Sequence, residues 1–570
     1  MTAGLTRTAL DLGDPWDAGN PLGYPEVLAA DAAGEPFTAG EELLRSAGLQ
    51  RHFVPASLGG ELRGADQFAR TMRAVFSRDA GLGVGFGATS FIAAVPVWTA
   101  GSPHQRRTVA DVLLDGGRCA AAFTEWDHGA DFGRADVRAR PAGDGWRISG
   151  AKHLINNVAR ADLVTLFART DDRPGSRSHS NLLVDMRGRP GTHYRLLPRY
   201  RTSGMRGCLL GGIDFTDAPV PAGAVIGEPG DALETVFRAF QITRCVLPGM
   251  VIGILDSQLR LAVRYAQGRR LYGQAVADLP HTREVLGGAF VDLLIADCLA
   301  TVGARALHVL PAEGSVLSAA VKYLVPKLLH EAGYELSTLL GASYYLADGE
   351  HAAFGKHARD LPVAVLAHAS SAVCLSTIIP QLPRLARRGW AATDTAPPPA
   401  TLFRPGDVLA ELDPARLAVN NRGVDTLTAT LRAERDRADT DPGVRRHADA
   451  FCAELAALGE RAGALAPRDQ TVMAGRDSFV LAHRYSVVLA AAACVGVWRR
   501  HPEDPFLGDP AWLVTALQRL RVRLDRATRP MWTAAGPVPA TVDDELSRRY
   551  RHNLWFDLTS TPISLDRSAP

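Results

Sequence analysis

The spacing of apolar residues predicts a helical region at the start of the chain. Over residues 1–118, apolar positions recur at helical spacing between glycine-rich breaks, and helices are expected at 41–48, 65–78 and 89–100. The first fifteen residues show no basic segment followed by an apolar one, which favours an unprocessed cytoplasmic protein. We therefore expect a small N-terminal helical domain.

The pattern changes twice along the rest of the chain. Residues 119–228 contain short β-prone runs such as 163–168 between Gly, Pro and Asp turns, which predicts a β domain. Long stretches of Ala, Leu, Val and Ile at helical spacing over 229–390 predict a helical bundle. The predicted fold class is therefore α+β with several domains.

A second helical region follows a proline-rich linker. Residues 391–406 include three consecutive prolines, and 407–570 show helical periodicity again at 444–465, 478–500 and 511–526. This pattern predicts an additional C-terminal helical domain.

Composition excludes several classes of function. The formal charge is +2 with 22% charged residues, so the sequence offers no basic face for nucleic acid or an anionic membrane. We found no run of 18 apolar residues and expect no membrane span. The seven cysteines are scattered without a C-x-x-C pair, which favours buried thiols over disulfides or zinc, and no metal is expected.

Five motifs in a fixed order resemble those of the acyl-CoA dehydrogenase superfamily. The first two, FTEWDHGAD and GAKHLINN, are similar to T-E-x-x-x-G-S-D and G-x-K-x-W-I-T-N, and they are followed by GMRGC, by IDFTDAPVP and by GRRLYG. In this order the motifs lie at 123–131, 150–157, 204–208, 213–221 and 268–273. Together they span about 150 residues, which makes the resemblance specific.

The resemblance implies the domain order helical, β, helical, with FAD between the β domain and the bundle. In that family a partner subunit closes the adenosine end of the flavin, so we expect a homodimer or homotetramer. The extra C-terminal region resembles the longer acyl-CoA oxidases. It would cover the active site or replace a subunit contact.

By resemblance, five residues of the β domain contact the flavin. Thr124 can direct a hydroxyl and backbone amides at the polar edge of the ring. Ala130 stands where the family has serine, Asn156 where it has threonine and Leu154 where it has tryptophan. That tryptophan flanks the flavin and faces the electron-acceptor protein, so its loss favours O2 as the acceptor. The expected contacts are Phe123, Thr124, Ala130, Leu154 and Asn156.

Four further cofactor contacts are expected in the bundle. Arg269 and Tyr272 fit the pair that reaches the pyrophosphate and adenine across the dimer, because a guanidinium donates two hydrogen bonds to phosphate. A solvated helix end is the alternative for this pair. Gly341 lies in a degraded version of the family's glycine-rich adenosine-binding segment, and Ser370 ends the segment that replaces I-Y-E-G-T.

The position of the catalytic base departs most from the family. His368 stands where the proton-abstracting glutamate belongs, and Thr243 stands at the site that other members use, beside Arg244. Thr243 and Arg244 are expected to bind substrate. Histidine can act as a base near neutral pH. A polar filler in an inactive site is the alternative, and Glu125, Asp348 or Glu350 could replace it if a loop brought one close.

Three functions remain open. The first is FAD-dependent oxidation of a C–C bond beside a carbonyl, on a specialised-metabolite acyl thioester or β-keto acid, free or bound to a carrier protein. Because a β-keto acid yields its enolate by losing carbon dioxide, this route needs no base. The second is a flavin monooxygenase that hydroxylates or epoxidises, as in the epoxyketone synthases that also resemble this family. The third is a catalytically silent flavin-binding scaffold.

Overall fold

The computed structural model describes residues 10–188, 191–367, 369–392, 396–524 and 536–563. The first part of the chain is helical. Its elements are α1 (Tyr24–Ala33), α2 (Thr38–Ser46), α3 (Ala65–Arg78), α4 (Thr89–Ala100) and α5 (Pro103–Leu114). The helices predicted at 65–78 and 89–100 are confirmed with these bounds, and the helix predicted at 41–48 begins and ends slightly earlier.

The middle of the chain forms an eight-stranded sheet of order β6-β7-β3-β2-β4-β5-β8, in which β1 pairs with β4. Its strands are β1 (Cys119–Ala122), β2 (Arg138–Ala142), β3 (Gly145–Asn156), β4 (Leu163–Arg169), β5 (His179–Asp185), β6 (Tyr194–Leu197), β7 (Leu210–Pro221) and β8 (Val225–Ile226). The β1–β4 pair is parallel, with Cys119 opposite Leu163. The long β3–β7 pair is antiparallel and has two register shifts, one of them between Lys152 and Ile155.

A helical bundle follows the sheet. It consists of α6 (Ala232–Gly268), α7 (Pro280–Val309), α8 (Gly314–Leu340), α9 (Ala352–Leu366) and α10 (Ser371–Ile378). A small hairpin of β9 (Arg270–Leu271) and β10 (Gln274–Ala275) joins α6 to α7. Most apolar residues of these helices are buried because neighbouring helices enclose them, with Phe237, Tyr334 and Leu366 as exposed exceptions.

The C-terminal region adds α11 (Ala429–Asp436), α12 (Pro442–Gly463), α13 (Arg476–Arg499), α14 (Pro510–Leu524) and α15 (Ala540–Arg551). The apolar helix α13 packs against α7 and α8, and its residues belong to the same hydrophobic core as the bundle. The additional helices are therefore continuous with the bundle.

Buried ion pairs tie the C-terminal region to earlier helices. Arg519 of α14 donates two hydrogen bonds to Asp292 of α7, at 2.9 and 2.6 Å. Near the C-terminus, Asp557 accepts a hydrogen bond of 2.7 Å from Arg73 of α3, which also pairs with Asp297. Removing one partner of such a pair leaves an uncompensated buried charge. These contacts fix the C-terminal helices on the bundle.

The expectation that no segment could span a membrane is wrong on length and composition. Four helical stretches, Ala80–Ala100, Ala232–Gly268, Pro280–Val309 and Arg476–Arg499, are long and apolar enough. Their most apolar windows are 83 to 100% buried within the protein. The bundle is thick enough to enclose whole helices, which explains their apolar composition.

Candidate functional site

The end of β1 meets the bundle at helix α6. The ring of Phe123, the residue after β1, lies 5.8 Å from Phe167 of β4 and 5.9 Å from Phe240 of α6. One turn further along α6, the guanidinium of Arg244 lies 5.9 Å from the centre of the Phe240 ring. The structure thus brings Phe123, which precedes Thr124, to the part of α6 that carries Thr243 and Arg244.

A buried ion pair joins the first two motifs. The Lys152 ammonium contacts the Glu125 carboxylate at 2.7 Å and the Phe123 carbonyl at 3.0 Å. Glu125 also accepts hydrogen bonds from the backbone amides of Asp136 and Val137. Although burial opposes ionisation, Lys152 and these amides lower the pKa of Glu125. Glu125 is therefore held as a structural anion and is not free to act as the base.

The polar residues beside this pair keep unused hydrogen-bonding capacity. The Asn156 side-chain nitrogen donates to Thr89 at 2.7 Å, but its oxygen is buried without a partner among the described residues. The Thr124 carbonyl accepts from the His153 amide at 2.9 Å. A buried amide oxygen without a partner is costly unless a ligand completes it. The two residues fit the donor and acceptor edge of a flavin.

Leu154 has an unusual backbone conformation. Its φ angle is +57°, and it lies at the register shift between Lys152 and Ile155 in the β3–β7 pair. A bulge of this kind redirects side chains locally, and the Leu154 side chain is 38% exposed. Ala130, six residues after Thr124, lies in an exposed turn. Leu154 and Ala130, which both replace family residues, are therefore accessible to solvent.

An aromatic cluster next to Leu154 was missed from sequence. The ring of Trp126 lies 5.2 Å from His153 and 5.5 Å from Tyr200, and His153 Nδ1 is 2.8 Å from the Tyr200 hydroxyl. Trp126 is 60% exposed. Trp126 lies inside the first motif and could have been noticed there, but only the fold brings Tyr200 to it.

On the bundle side, Thr243 and Arg244 are buried. Thr243 donates to the Phe240 carbonyl within its own helix, at 3.2 Å. Arg244 donates to the Thr377 hydroxyl of α10 at 3.3 Å, and its Nε is buried without a partner among the described residues. Arg244 thus retains a free donor inside the protein.

A second buried cation, Lys322 of α8, lies near Arg244 and was also missed. Its ammonium donates to the carbonyl of Ala364, close to the end of α9. Burial is the main reason that the pKa of Lys322 is lowered to about 8; the Cys374 thiol opposes this shift and the charge of Arg244 adds to it. Nothing in its sequence context distinguishes this lysine, because its burial is a tertiary property.

The segment after α9 contains the position of the missing base. His368 lies outside the described residues. Ala369 has a φ of +102°, and the Ser370 side chain accepts a hydrogen bond from the Val373 amide and so caps α10. Ala369 and Ser370 thus lead directly into α10, whose Thr377 contacts Arg244.

The remaining predicted cofactor residues lie at the far end of the bundle. Arg269 and Tyr272 follow the end of α6, 26 residues after Thr243, which corresponds to about 40 Å along a helix. Tyr272 is 91% exposed, and Arg269 and Gly341 are also exposed. Within one chain these residues cannot reach a ligand held at Thr124.

Two of the alternative bases also lie at that far end. Glu350 pairs with Arg264, one residue before Tyr265 and 21 residues after Thr243 on α6. That separation corresponds to about 30 Å along the helix. Asp348 lies in the same exposed loop as Glu350. Neither carboxylate is placed to act beside Arg244.

Family models match the two parts of the chain that form the site. Residues 120–218 match the middle domain of acyl-CoA dehydrogenase, and residues 233–381 match its C-terminal domain. The chain therefore contains two consecutive regions that are similar to acyl-CoA dehydrogenase domains. The predicted order of helical, sheet and helical domains with extra C-terminal helices is confirmed.

Among curated relatives, the chain is 27% identical over 252 residues to glutaryl-CoA dehydrogenase from Desulfococcus multivorans, covering 44% of the chain and 63% of the relative. It is 28% identical over 233 residues to human mitochondrial short-chain specific acyl-CoA dehydrogenase, covering 41% and 56%. The chain thus spans less than two thirds of the length of these relatives.

A solved structure extends the similarity to the C-terminal helices. The acyl-CoA dehydrogenase complexed with FAD from Bacillus anthracis matches with a TM-score of 0.70 and 16% identity, over 92% of each chain. At this identity the match establishes the fold. It shows that the additional helices belong to an arrangement found in another protein of the same fold.

Proposed function

We propose that this chain is an FAD-dependent oxidoreductase that oxidises a C–C bond beside a carbonyl, on an acyl thioester or a β-keto acid. The observation that supports it most is the pairing of a flavin-side framework, held by a complete ion pair, with a bundle side that lacks the family's carboxylate. Glu125 and Lys152 keep that framework together. At the opposing helix, neither Thr243 nor the residue at 368 is acidic.

The absence of a carboxylate base favours a substrate that forms its enolate by decarboxylation. In a β-keto acid the bond to the carboxylate breaks, its electron pair stays on the α-carbon, and carbon dioxide leaves. Bound FAD would supply the acceptor for a hydride from the first carbon of the substituent on the α-carbon, and an external acceptor such as O2 would reoxidise the flavin. No proton has to be removed from the α-carbon first. If the substrate is instead a simple acyl thioester, His368 would be the base.

The β-domain residues would hold the flavin. Thr124 and Asn156 have the hydrogen-bonding capacity for the polar edge of the ring, while Phe123 backs them against α6. Leu154 and Ala130 would line the same site. Since Ser370 caps α10, its role would be to position the loop beside the site.

Arg269, Tyr272 and Gly341 would serve the cofactor of a second copy of the chain. All three are exposed, and Arg269 lies about 40 Å from Thr243 along α6. A homodimer or homotetramer would bring them to the pyrophosphate and adenosine of the partner's FAD. The proposed location of this assembly is the cytoplasm.

The substrate would be a small molecule attached to coenzyme A or to a carrier protein, or a free acid of specialised metabolism. The name of the Desulfococcus multivorans relative specifies glutaryl-CoA, an acyl thioester with a second carboxylate. This name supports a carboxylate-bearing substrate.

A flavin monooxygenase is the second candidate. The exposed Leu154 replaces the aromatic residue that would face an electron-acceptor protein, and this opens that side of the flavin site to a small oxidant such as oxygen. A monooxygenase would place one oxygen atom from the gas in its product. A catalytically silent scaffold would bind flavin that no substrate reduces.

The test starts from the visible spectrum of the purified chain. A bound-flavin band is expected, and anaerobic addition of a 2-substituted 3-oxo acid should bleach it, whereas a simple acyl-CoA should bleach it slowly or not at all. Rapid bleaching by the acyl-CoA would instead assign a working base to His368. Isotopic oxygen in the product after admitting air would favour the monooxygenase, and absence of flavin would contradict the proposal.

A further inference from the structure

Two cations are buried together in the bundle without a carboxylate partner. Arg244 and Lys322 are each 3% exposed, and neither forms an ion pair with any residue that the structure describes. Elsewhere in the described chain most buried cations, such as Lys152, Arg73 and Arg519, contact a carboxylate within 3 Å, whereas buried Arg78 donates to backbone carbonyls. Arg244 and Lys322 therefore differ from the usual pattern of buried charge.

The groups that face the two cations are mostly uncharged. The Lys322 ammonium donates to the Ala364 carbonyl of α9, and the Arg244 guanidinium donates to the Thr377 hydroxyl of α10. The Cys374 thiol, one turn before Thr377, is the remaining titratable group that acts on both. His368, beyond the described residues, is not an acid either.

These contacts use only part of the hydrogen-bonding capacity of the pair. An ammonium has three N–H donors and a guanidinium has five. Capping the end of α9 explains one donor of Lys322. The Nε of Arg244 is buried without a partner among the described residues.

We infer that Arg244 and Lys322 form a carboxylate-binding site that holds an acyl substrate by a carboxylate on its α-carbon. This inference rests on the proposed function, since it places the substrate between Phe240 of α6 and the flavin. The carboxylate would supply the negative charge that the fold lacks here. A planar carboxylate also matches the paired donors of a guanidinium.

The inference explains why a glutamate base is absent. In a family member with a carboxylate at position 368 or 243, that anion would occupy the neighbourhood of these cations and would repel a second carboxylate. With histidine and threonine there, the cations remain available. The loss of the base and the binding of an anionic substrate are thus two results of the same change.

The test compares two acyl thioesters of the same size. Malonyl-CoA bears a carboxylate where isovaleryl-CoA bears an uncharged isopropyl group, and both share the coenzyme A arm. Their dissociation constants are measured by isothermal titration with the flavin-containing, full-length protein. We expect malonyl-CoA to bind at least about tenfold more tightly, as charge-assisted hydrogen bonds predict. Equal affinities would overturn the inference.

Substitutions then locate the preference. Arg244→Gln should abolish it, Lys322→Met should reduce it, and Arg244→Lys should retain part of it. The matched control is Arg238→Gln, which removes a more exposed arginine of the same helix that pairs with Glu234. The control should keep the full preference. A folded Arg244→Gln variant that still prefers malonyl-CoA would contradict the inference.

A second measurement applies if Arg244→Gln fails to fold. Malonyl-CoA should raise the unfolding temperature of the unsubstituted protein more than isovaleryl-CoA does, and Lys322→Met should shrink that difference. The same measurements distinguish failure of the carboxylate site from failure of the proposed function. If the flavin is bleached by uncharged acyl thioesters and malonyl-CoA has no advantage, the oxidoreductase proposal stands and the carboxylate site is wrong.

Discussion

Two buried lysines on opposite sides of the site have different surroundings. Lys152 of β3 contacts the Glu125 carboxylate at 2.7 Å, whereas Lys322 of α8 contacts only a backbone carbonyl among the described residues. Burial is the largest influence on both, and it lowers the pKa of each ammonium to about 8. The difference between them is the counter-charge.

The charge of Lys152 is neutralised within the protein, whereas the charge of Lys322 is available to a ligand. The Glu125–Lys152 pair is complete within the protein and joins the two motifs of the β domain. The Lys322–Arg244 pair is incomplete, so a ligand can complete it. Removing one partner of a buried ion pair is costly, whereas removing a buried charge that has no partner is not. Substitution of Lys152 should therefore lower the free energy of unfolding, and substitution of Lys322 should raise it.

The largest expected effect comes from Lys152→Met. The substitution leaves the Glu125 carboxylate buried without its cation, and it should lower the free energy of unfolding by about 3–5 kcal/mol. Chemical denaturation at pH 7 measures it. The double variant Lys152→Met with Glu125→Gln is the control and should recover a large part of the loss. A stability within about 0.5 kcal/mol of the unsubstituted protein would show that the pair is dispensable.

Lys322→Met should stabilise the ligand-free protein at neutral pH. A pKa of about 8 in the folded state, against 10.5 for an ordinary lysine, means that keeping Lys322 charged costs folding about 3 kcal/mol at pH 7. Loss of the hydrogen bond to Ala364 removes about 1 kcal/mol. A net gain of about 2 kcal/mol in unfolding free energy is expected.

The gain in unfolding free energy of the Lys322→Met variant should depend on pH. The folded pKa of Lys322 is depressed, so its cost is fully present below pH 8 and is relieved as the pH rises from about 8 towards 10.5. The advantage of the Lys322→Met variant should therefore shrink over this window. Lys327→Met, on the same helix, is the control and should show no such trend. If the Lys322→Met variant were less stable than the unsubstituted protein at both pH 7 and pH 10, the buried charge of Lys322 would not be destabilising.

On the flavin side, Asn156→Ala should weaken cofactor binding. The substitution removes the buried oxygen that has no partner among the described residues, and one lost hydrogen bond corresponds to about tenfold in the FAD dissociation constant. Fluorescence of released flavin measures it. Thr170→Ala alters a hydroxyl of the same domain that bonds Ser180, and it should leave FAD affinity unchanged. Unchanged affinity in Asn156→Ala would remove this residue from the site.

The smallest effect on stability is expected at Tyr272, which is 91% exposed. Tyr272→Ala should change the unfolding free energy of the isolated chain by less than about 0.5 kcal/mol. If Tyr272 contacts the partner's FAD, the same substitution should speed flavin release and weaken self-association. Analytical ultracentrifugation and flavin release together check this, and no change in either would place Tyr272 on a free surface.

The sequence predicted the parts of the fold that depend on local pattern. Helices α3 and α4 were placed correctly because their apolar spacing is regular and their ends are marked. Helix α1 was missed, since its short segment has no clear polar face. The strands near Thr124 and Asn156 were predicted from motif resemblance together with turn residues.

The candidate site was only partly predictable. Phe123, Thr124, Thr243 and Arg244 were identified from motifs, and the fold brings them together. Lys322 could not be found, because burial without a counter-charge depends on what three other helices place around it. The same reason applies to the Glu125–Lys152 pair, whose two residues were each noticed within motifs but not as partners.

The most direct test of the account is the ratio of carbon dioxide released to flavin reduced in a single anaerobic turnover. The flavin-containing protein is mixed with a 2-substituted 3-oxo acid, bleaching is followed optically, and carbon dioxide is quantified in the same sample. We expect one carbon dioxide per flavin bleached. The Arg244→Gln variant should lose both carbon dioxide release and bleaching. Bleaching without carbon dioxide, or equally fast bleaching by an uncharged acyl thioester, would contradict it.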